Sequence, residues 1–258
     1  MNKTNNKQFW DSVVQAHLSS DFYDVKAFLQ GQSSLNPIEL ALLGDISGKD
    51  VLHLQCHFGL DSLSLARQGA KVSALDFSGE AIAAAKQLAK DAQLEAHFIQ
   101  GDVLEFRPEL ESSADIVFGS YGVIGWFGDL DQYAHNVMRY LKPGGKFVLV
   151  EFHPLVHMFD DDFKQLVYPY DSQAMLFEEN GSYAGGEGKF EVTCWNHSIS
   201  SLFNAFMKQG AKLSAFEEHN YSPYPCFTGM IEDKKNEHVV AAFGRKLPYV
   251  YASVWEKA

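Results

Sequence analysis

The stretch VLHLQCHFGLDSLSLARQGAKVSALD, residues 51–76, has the pattern of a strand, a helix and a second strand. Its two β-branched apolar runs, at 51–55 and 71–76, are strand-length, and the segment between them opens a helix after Gly59. Strands and helices continue to alternate as far as Phe152. This order is typical of parallel strands joined by crossover helices, so the sequence predicts an α/β fold with a parallel sheet.

Three further strands are predicted in this region, at 95–100, 115–120 and 146–152. The clearest helix precedes the last of them. Its apolar residues recur at helical spacing and form one buried face: Leu130, Tyr133, Ala134, Val137, Met138 and Leu141. We expect this helix to stop at residues 142–145, because Pro143 cannot continue a helix and the glycines after it permit a left-handed turn.

The remaining segments complete the predicted sheet. After Phe152 the pattern is irregular over 153–197, a length at which a loop usually has structure or function of its own. A helix beginning at Ile199 and two strands, at 212–220 and 248–258, follow, and the strands are expected to form an antiparallel pair at one edge. Upstream, residues 6–43 are expected to form two or three short helices.

Together these elements predict a Rossmann-like, doubly wound α/β fold. The expected sheet has seven strands and is mostly parallel, with an antiparallel C-terminal strand, N-terminal helices and an insertion. With 258 residues, the chain is long enough to bury a large core as a single domain. We expect this domain to consist of four parts: N-terminal helices at 1–45, a core at 46–152, an insertion at 153–197 and the C-terminal part of the sheet at 198–258.

Composition disfavours several classes of function. The formal net charge is −12, from 33 acidic against 21 basic residues, and the basic residues form no cluster that would follow a nucleic-acid backbone. No apolar run has the length of a membrane span, and the first residues are polar, so we expect no signal peptide, no membrane association and a cytoplasmic location. Three widely spaced cysteines fit neither a disulfide framework nor a zinc site, and we predict no metal.

The residues that follow the strands predict a nucleoside site, because ligands of open parallel sheets bind beyond the carboxyl ends of the strands. Asp76, which ends the second strand, is placed to accept hydrogen bonds from ribose hydroxyls. Asp102, after the third strand, is placed to accept from an adenine amino group, and Phe77 and Val103 to enclose the ring. The alternative for both aspartates is helix N-capping.

Four features together resemble class I S-adenosylmethionine-dependent methyltransferases. They are the order of elements, the acidic residue after the second strand, Gly101-Asp102 after the third strand, and LKPGGKFVLVEF at 141–152. HLQCHFG at 53–59 is similar to the corresponding loop in a group of bacterial small-molecule methyltransferases. The resemblance implies S-adenosylmethionine as cofactor, an insertion that caps the site and a lid formed by the N-terminal helices. Residues expected to contact the cofactor are Gln55, His57, Gly59, Asp76, Phe77, Gly101, Asp102, Val103 and Ser120.

The loop departs from the acidic, glycine-rich pattern of the superfamily. His53 stands at the acidic position, Gln55 and His57 replace two glycines, and Gly59 is kept. We expect His53 to pack within the sheet. One alternative is that the loop belongs to an inactive relative that binds the nucleoside without transferring a methyl group. A nicotinamide-dependent dehydrogenase is a more distant alternative, because it would need G-x-G-x-x-G after the first strand.

The acceptor side of the site is predicted from three segments. Tyr121 and Trp126 lie in the glycine-containing loop after the fourth strand, and Tyr23 lies in the N-terminal helices; packing is the alternative for each. His153, after the fifth strand, is the candidate general base, with a structural role as its alternative. The sequence thus predicts methyl transfer to the O, N or S atom of a small molecule, by a monomer or homodimer.

Overall fold

The chain folds as helices and strands around one large sheet. The structure, a computed structural model, describes residues 2–179, 182–185 and 188–258. In chain order the helices are α1 (Asn2–Ser19), α2 (Val25–Leu29), α3 (Pro37–Leu43), α4 (Leu60–Arg67), α5 (Gly79–Asp91), α6 (Leu130–Tyr140) and α7 (Ile199–Lys208). The strands are β1 (Asp50–Leu54), β2 (Lys71–Asp76), β3 (His97–Gln100), β4 (Ala114–Ser120), β5 (Leu141–Phe152), β6 (Met175–Glu179), β7 (Phe190–Cys194), β8 (Lys212–His219), β9 (Met230–Lys234), β10 (Glu237–Val240) and β11 (Val250–Glu256).

Seven of these strands form the central sheet, in the order β3-β2-β1-β4-β5-β11-β8. The pairs from β3 to β5 are parallel, whereas β11 is antiparallel to both β5 and β8. The strand order reverses between β1 and β4, and such a point is where open α/β sheets bind ligands. The predicted doubly wound, mostly parallel sheet with an antiparallel C-terminal strand is confirmed.

The core fills both faces of the sheet. On one face α6 and α7 bury aromatic side chains, among which Phe206 stacks on Phe147 and Trp255 at centroid distances of 5.1 and 5.3 Å. On the other face α4 and α5 cover Phe58, Phe98 and their neighbours. Helices α5, α6 and α7 expose their other side, as the alternation of strand and amphipathic helix in the sequence predicts, whereas α4 has no exposed residue.

The predicted end of α6 has a tertiary cause as well as a local one. The helix ends at Tyr140, and β5 already begins at Leu141, before the Pro-Gly-Gly turn. Backbone N–H groups of Ser112 and Ser113 donate to the carbonyls of Arg139 and Tyr140, at 2.9 and 3.0 Å. These bonds satisfy carbonyls that the helix leaves unpaired at its end, so the chain enters β5 earlier than proline alone requires.

The N-terminal helices are three, but the first is longer than expected. Helix α1 has 18 residues because it is anchored on strand β7. The Asn6 side chain donates to the Thr193 carbonyl and accepts from the Thr193 N–H, both at 2.8 Å. Phe9 and Val13 are buried beside Val192. This packing on a strand nearly two hundred residues away stabilises the helix. The periodicity of the local sequence does not predict such a contact.

Two hairpins occupy segments that the sequence pattern predicts as irregular. Strands β6 and β7 pair within the insertion, and β9 and β10 pair between the two closing strands of the sheet. Both are short two-stranded units whose outer face is exposed, so their sequences lack a continuous apolar alternation. Within the residues that the structure describes, no helix combines the length and apolar character needed to cross a membrane.

Candidate functional site

A cavity of about 1060 Å³ opens at the carboxyl ends of β1, β2, β4 and β5. It lies at the point where the strand order reverses and is covered by residues of the N-terminal helices, the insertion and the 221–229 loop. Its volume is slightly above the usual range for small-molecule sites, ~300–1,000 Å³. Nine of the residues predicted from the sequence line it: Tyr23, Gln55, His57, Gly59, Asp76, Phe77, Ser120, Tyr121 and Trp126.

The loop after β1 has the backbone conformation of a glycine-rich loop, although two of its positions carry larger side chains. Gln55 and His57 adopt positive φ angles of 53° and 49°, a conformation more usual for glycine. Gly59, with φ 83°, cannot be replaced without a shift, because an added Cβ would lie 2.7 Å from the Phe98 ring. The loop therefore presents two extra side chains to the cavity on a backbone fixed by Gly59 against the sheet.

Gln55 leaves one polar atom unused. Its Nε2 donates to the Val123 carbonyl at 2.7 Å, which fixes the side chain between the β1 and β4 loops. Its Oε1 is buried and has no hydrogen-bond partner among the described residues. A buried acceptor of this kind is costly when unpaired, about 1–3 kcal/mol, so its position in a cavity wall points to a donor supplied by a ligand.

Asp76 is held at the floor of the cavity by backbone donors. Its Oδ1 accepts from the Ser78 N–H at 2.9 Å and its Oδ2 from the His57 N–H at 2.8 Å. Burial raises the pKa of the carboxyl to about 6, although the bonds from Ser78 and His57 act in the opposite direction. The Ser78 hydroxyl caps α5, accepting from Ala81. The helix-capping role considered for Asp76 is therefore taken by Ser78, and the carboxylate retains capacity to accept further bonds.

Three residues predicted to contact the cofactor after β3 do not line this cavity: Gly101, Asp102 and Val103. The Asp102 Oδ1 accepts from the Leu104 N–H at 2.8 Å, which closes a local turn. Val103 is buried in the core beneath α6, where its carbonyl accepts from the Asn136 side chain. Their contact with the cofactor stays a prediction, since these three residues lie beside the cavity wall rather than in it.

His153, the predicted base, also lies outside the cavity wall. Its Nε2 is 3.0 Å from the Glu218 carboxylate on β8, and its Nδ1 accepts from the Leu155 N–H at 3.1 Å. Burial lowers the pKa of the imidazole, and Glu218 only partly opposes this. Both ring nitrogens are engaged, Nε2 by Glu218 and Nδ1 by the Leu155 N–H, which fits the structural alternative, and the role as base stays a prediction. The neighbouring residues Glu151, Phe152 and Pro154 line the cavity.

Glu151 fixes the loop that follows β4. Its carboxylate accepts from the backbone N–H groups of Gly122, Val123, Ile124 and Phe152. Burial raises the pKa of this carboxyl, and these four backbone bonds oppose the rise. The loop that carries Tyr121 and Trp126 is thus positioned by a buried acid that no sequence motif signals.

A second buried acid, Glu39, holds Tyr121. Its Oε1 accepts from the Asn36 N–H at 2.6 Å, as in a capping box at the start of α3, and its Oε2 accepts from the Tyr121 hydroxyl at 2.7 Å. Burial, with the nearby charge of Asp61, raises the pKa of Glu39 to about 7. The sequence Asn-Pro-Ile-Glu signals the capping box, but nothing local signals the contact with Tyr121.

Asp61, in the first turn of α4, joins the same region. It accepts from the Ser34 hydroxyl at 2.6 Å and the Ser120 hydroxyl at 3.0 Å, and burial raises the pKa of its carboxyl. His53 lies beside it: its Nδ1 is 2.8 Å from the Ser62 hydroxyl, and burial lowers its pKa to about 3. Burial therefore favours the neutral form of His53, and the carboxyl groups of this corner are those of Asp61 and Glu39.

The N-terminal helices contact the loop after β1 directly. The Nδ1 of His17, on α1, is 2.8 Å from the Nε2 of His57, and the Tyr23 hydroxyl shares a hydrogen bond of 2.5 Å with that of Tyr183 in the insertion. Trp126 packs against Phe9 and Trp10 of α1, as well as lining the cavity. The N-terminal helices and the insertion thus meet above the strand ends.

Comparison with known proteins agrees with this architecture. Residues 51–145 match the model of a methyltransferase domain. The chain is 28% identical over 133 residues to a ubiquinone biosynthesis O-methyltransferase of Salmonella typhi, a match that covers 50% of this chain and 54% of the relative. The chain thus spans about half the length of the curated relatives it matches.

Solved structures extend the comparison to the whole fold. An S-adenosylmethionine-dependent methyltransferase from Mesorhizobium loti superposes with a TM-score of 0.59 at 17% identity, covering 89% of this chain and 100% of that one. A glycopeptide N-methyltransferase solved with S-adenosyl-L-methionine has a TM-score of 0.55 at 18% identity, covering 86% and 92%. Residues 51–145 are thus similar to a methyltransferase domain, and the chain shares the fold of these solved S-adenosylmethionine-dependent methyltransferases.

Proposed function

We propose that this chain transfers a methyl group from S-adenosylmethionine to a small molecule in the cavity beyond β1, β2, β4 and β5. The observation that carries the proposal is the pair of acceptors at the strand ends, the buried carboxylate of Asp76 and the unpaired Oε1 of Gln55. Both lie in the wall of one cavity large enough for two small molecules. The cofactor's hydroxyl, amino and ammonium groups are donors that such acceptors suit.

Each part of the cavity wall has a role in this proposal. The bound cofactor supplies an electrophilic methyl group. Asp76 accepts from the ribose hydroxyls, Phe77 packs on the adenine, and the loop with Gln55 and His57 holds the methionine part. Tyr23, Tyr121 and Trp126 enclose the acceptor. Because displacement at a methyl carbon needs close and aligned reactants, positioning and exclusion of water account for most of the work of the protein.

The known relatives do not determine the acceptor atom. One is named for an O-methyl transfer and another for an N-methyl transfer, and each resembles this chain at under 30% identity. The alternative function, binding of the nucleoside without transfer, shares the cofactor site. It is favoured by the replacement of two loop glycines with Gln55 and His57, and turnover alone separates the two functions.

The proposal is tested by calorimetry and by turnover. S-adenosylmethionine and S-adenosylhomocysteine are titrated into the wild type, Asp76→Ala and, as a control, Asp131→Ala, whose carboxylate makes an exposed ion pair with Lys208 outside the cavity. We expect Asp76→Ala to weaken both ligands about tenfold or more, since each charge-assisted bond contributes about 1.5–3 kcal/mol. Equal affinities in all three proteins would contradict the assignment. Formation of S-adenosylhomocysteine with a metabolite panel distinguishes transfer from binding alone.

A further inference from the structure

One wall of the cavity is an arc of aromatic rings that the cofactor site does not use. Tyr224 lies at its centre, with ring centroids 5.2 Å from Tyr121, 6.1 Å from Phe152 and 5.4 Å from Phe22. Phe227 continues the arc, 5.1 Å from Phe152. All five rings line the cavity and come from four separate segments of the chain. The faces and edges of such rings suit an apolar body or a cation.

The charged side chains of the cavity wall are all acidic. In the described part of the chain, the lining includes aspartates and one glutamate but neither lysine nor arginine. The histidines do not supply positive charge either: burial lowers the pKa of His157 to about 4 and that of His57 well below its usual value. An anionic group entering the cavity would lose its hydration without gaining a counter-ion. The wall therefore disfavours acceptors that carry a carboxylate or a phosphate.

Negative charge is concentrated behind one end of the arc. The Tyr121 hydroxyl donates to Glu39, and Asp61 is close enough for its charge to raise the pKa of Glu39. Each carboxylate is satisfied by neutral donors: Asn36 and Tyr121 for Glu39, and Ser34 and Ser120 for Asp61. A cation placed against Tyr121 would offset the mutual repulsion of these two acids, which the neutral donors leave uncompensated.

We propose that the acceptor is an amine, bound as an ammonium ion against the aromatic arc with its charge directed towards Tyr121. This rests on the proposed methyl transfer. An ammonium nitrogen must lose a proton before it reacts: the proton passes to the Tyr121 oxygen as the Tyr121 hydroxyl proton passes to Glu39. The neutral nitrogen then forms a bond to the methyl carbon while the carbon–sulfur bond breaks and its electron pair stays on sulfur. The product is an N-methylammonium ion, and after it leaves, the Glu39 proton returns through the Tyr121 hydroxyl to water in the open cavity.

The test uses three probes of similar shape that differ in charge: 2-phenylethylamine, 2-phenylethanol and phenylacetate. Each is titrated calorimetrically into the wild type saturated with S-adenosylhomocysteine. We expect the amine to bind about tenfold more tightly than the alcohol, and phenylacetate to bind most weakly. Glu39→Gln keeps the acceptor for Asn36 but removes the charge, and should lower the amine-to-alcohol ratio towards one. Tyr121→Phe should do the same, and the control Asp131→Asn should not.

Several results would overturn the proposal: phenylacetate binding as tightly as the amine, an unchanged ratio in folded Glu39→Gln and Tyr121→Phe, or no binding of any probe. If both variants fail to fold, the wild-type order of the three probes decides by itself. The initial titration with S-adenosylhomocysteine separates this failure from a failure of the proposed function, because a protein that does not bind the nucleoside contradicts the methyl transfer itself.

Discussion

The hydroxyl of Tyr121 donates a hydrogen bond of 2.7 Å to Oε2 of Glu39, and this contact joins α3 to the loop after β4. Glu39 is fully buried, and the Tyr121 backbone has a φ of 43° with its N–H bonded to the Val150 carbonyl. A wall residue of the cavity is thus fixed at both its backbone and its hydroxyl. The position of the Tyr121 side chain in the cavity wall therefore depends on helix α3, which carries Glu39.

Glu39 should give the free energy of unfolding a pH dependence. Its folded pKa of about 7 is above the ordinary value of 4.5, so the folded state binds more protons, and the stabilisation present below pH 4.5 is lost as the pH rises through 7. The groups that face it are Asp61, Tyr121 and Tyr221, none of them cationic. The shift corresponds to a change on the order of 3 kcal/mol.

Urea unfolding of the wild type and Glu39→Gln at pH 5 and pH 8 measures this effect. Since Asp61 and Asp76 also have raised pKa values, both proteins should lose stability with rising pH, but the wild type should lose more. Parallel losses in the two proteins would show that Glu39 titrates as an ordinary carboxyl. Thermal melting of each protein at pH 5 confirms that the glutamine variant folds.

Gly59→Ala should destabilise the protein more than an equivalent change at Gly144. Both glycines have a positive φ, 83° and 74°, so both substitutions incur the left-handed penalty of about 1–2 kcal/mol. An added Cβ meets the Phe98 ring at 2.7 Å at position 59 and nothing within 4 Å at position 144. Overpacking should add about 1–3 kcal/mol at position 59, measured by urea unfolding. Equal losses would mean that the Phe98 ring moves aside freely.

Asn6→Ala should release α1 from the insertion. The Asn6 side chain is buried and makes two hydrogen bonds to the backbone of Thr193, so its removal leaves a buried N–H and carbonyl unpaired, at a cost of about 1–3 kcal/mol each. We expect faster amide exchange in residues 190–194, read by mass spectrometry. Gln15→Ala, on the exposed side of the same helix, is the matched control and should leave that exchange unchanged.

His153→Asn should lower stability without changing the affinity for S-adenosylhomocysteine. The imidazole is buried outside the cavity and bonds Glu218 and Leu155, so its loss should cost about 1–2 kcal/mol. Calorimetry on the variant, beside Asp76→Ala, distinguishes a structural residue from one that binds the ligand. A marked loss of ligand affinity in His153→Asn, with the fold intact by circular dichroism, would mean that this histidine takes part in ligand binding.

The residues that line the cavity from β1 and β2 could be read from the sequence because that side of the cavity is local. Gln55, His57 and Asp76 follow directly from the ends of β1 and β2, and chain direction alone brings the ends of parallel strands to one edge. The hairpins and the length of α1 could not be read in this way. Their stability comes from contacts such as Asn6 with Thr193, between residues 187 positions apart, which no periodicity records.

By itself the sequence determined the sheet, its single antiparallel strand and the loop that faces the cavity from β1, because periods of two and 3.6 residues specify which faces are buried. Only the tertiary structure decided which strand-end residues reach the cavity. Asp102 and His153 do not line it, whereas Glu39 is brought to Tyr121 across 82 residues. The exact position of a side chain depends on packing between segments that are distant in the sequence. Spacing along the chain does not specify that packing.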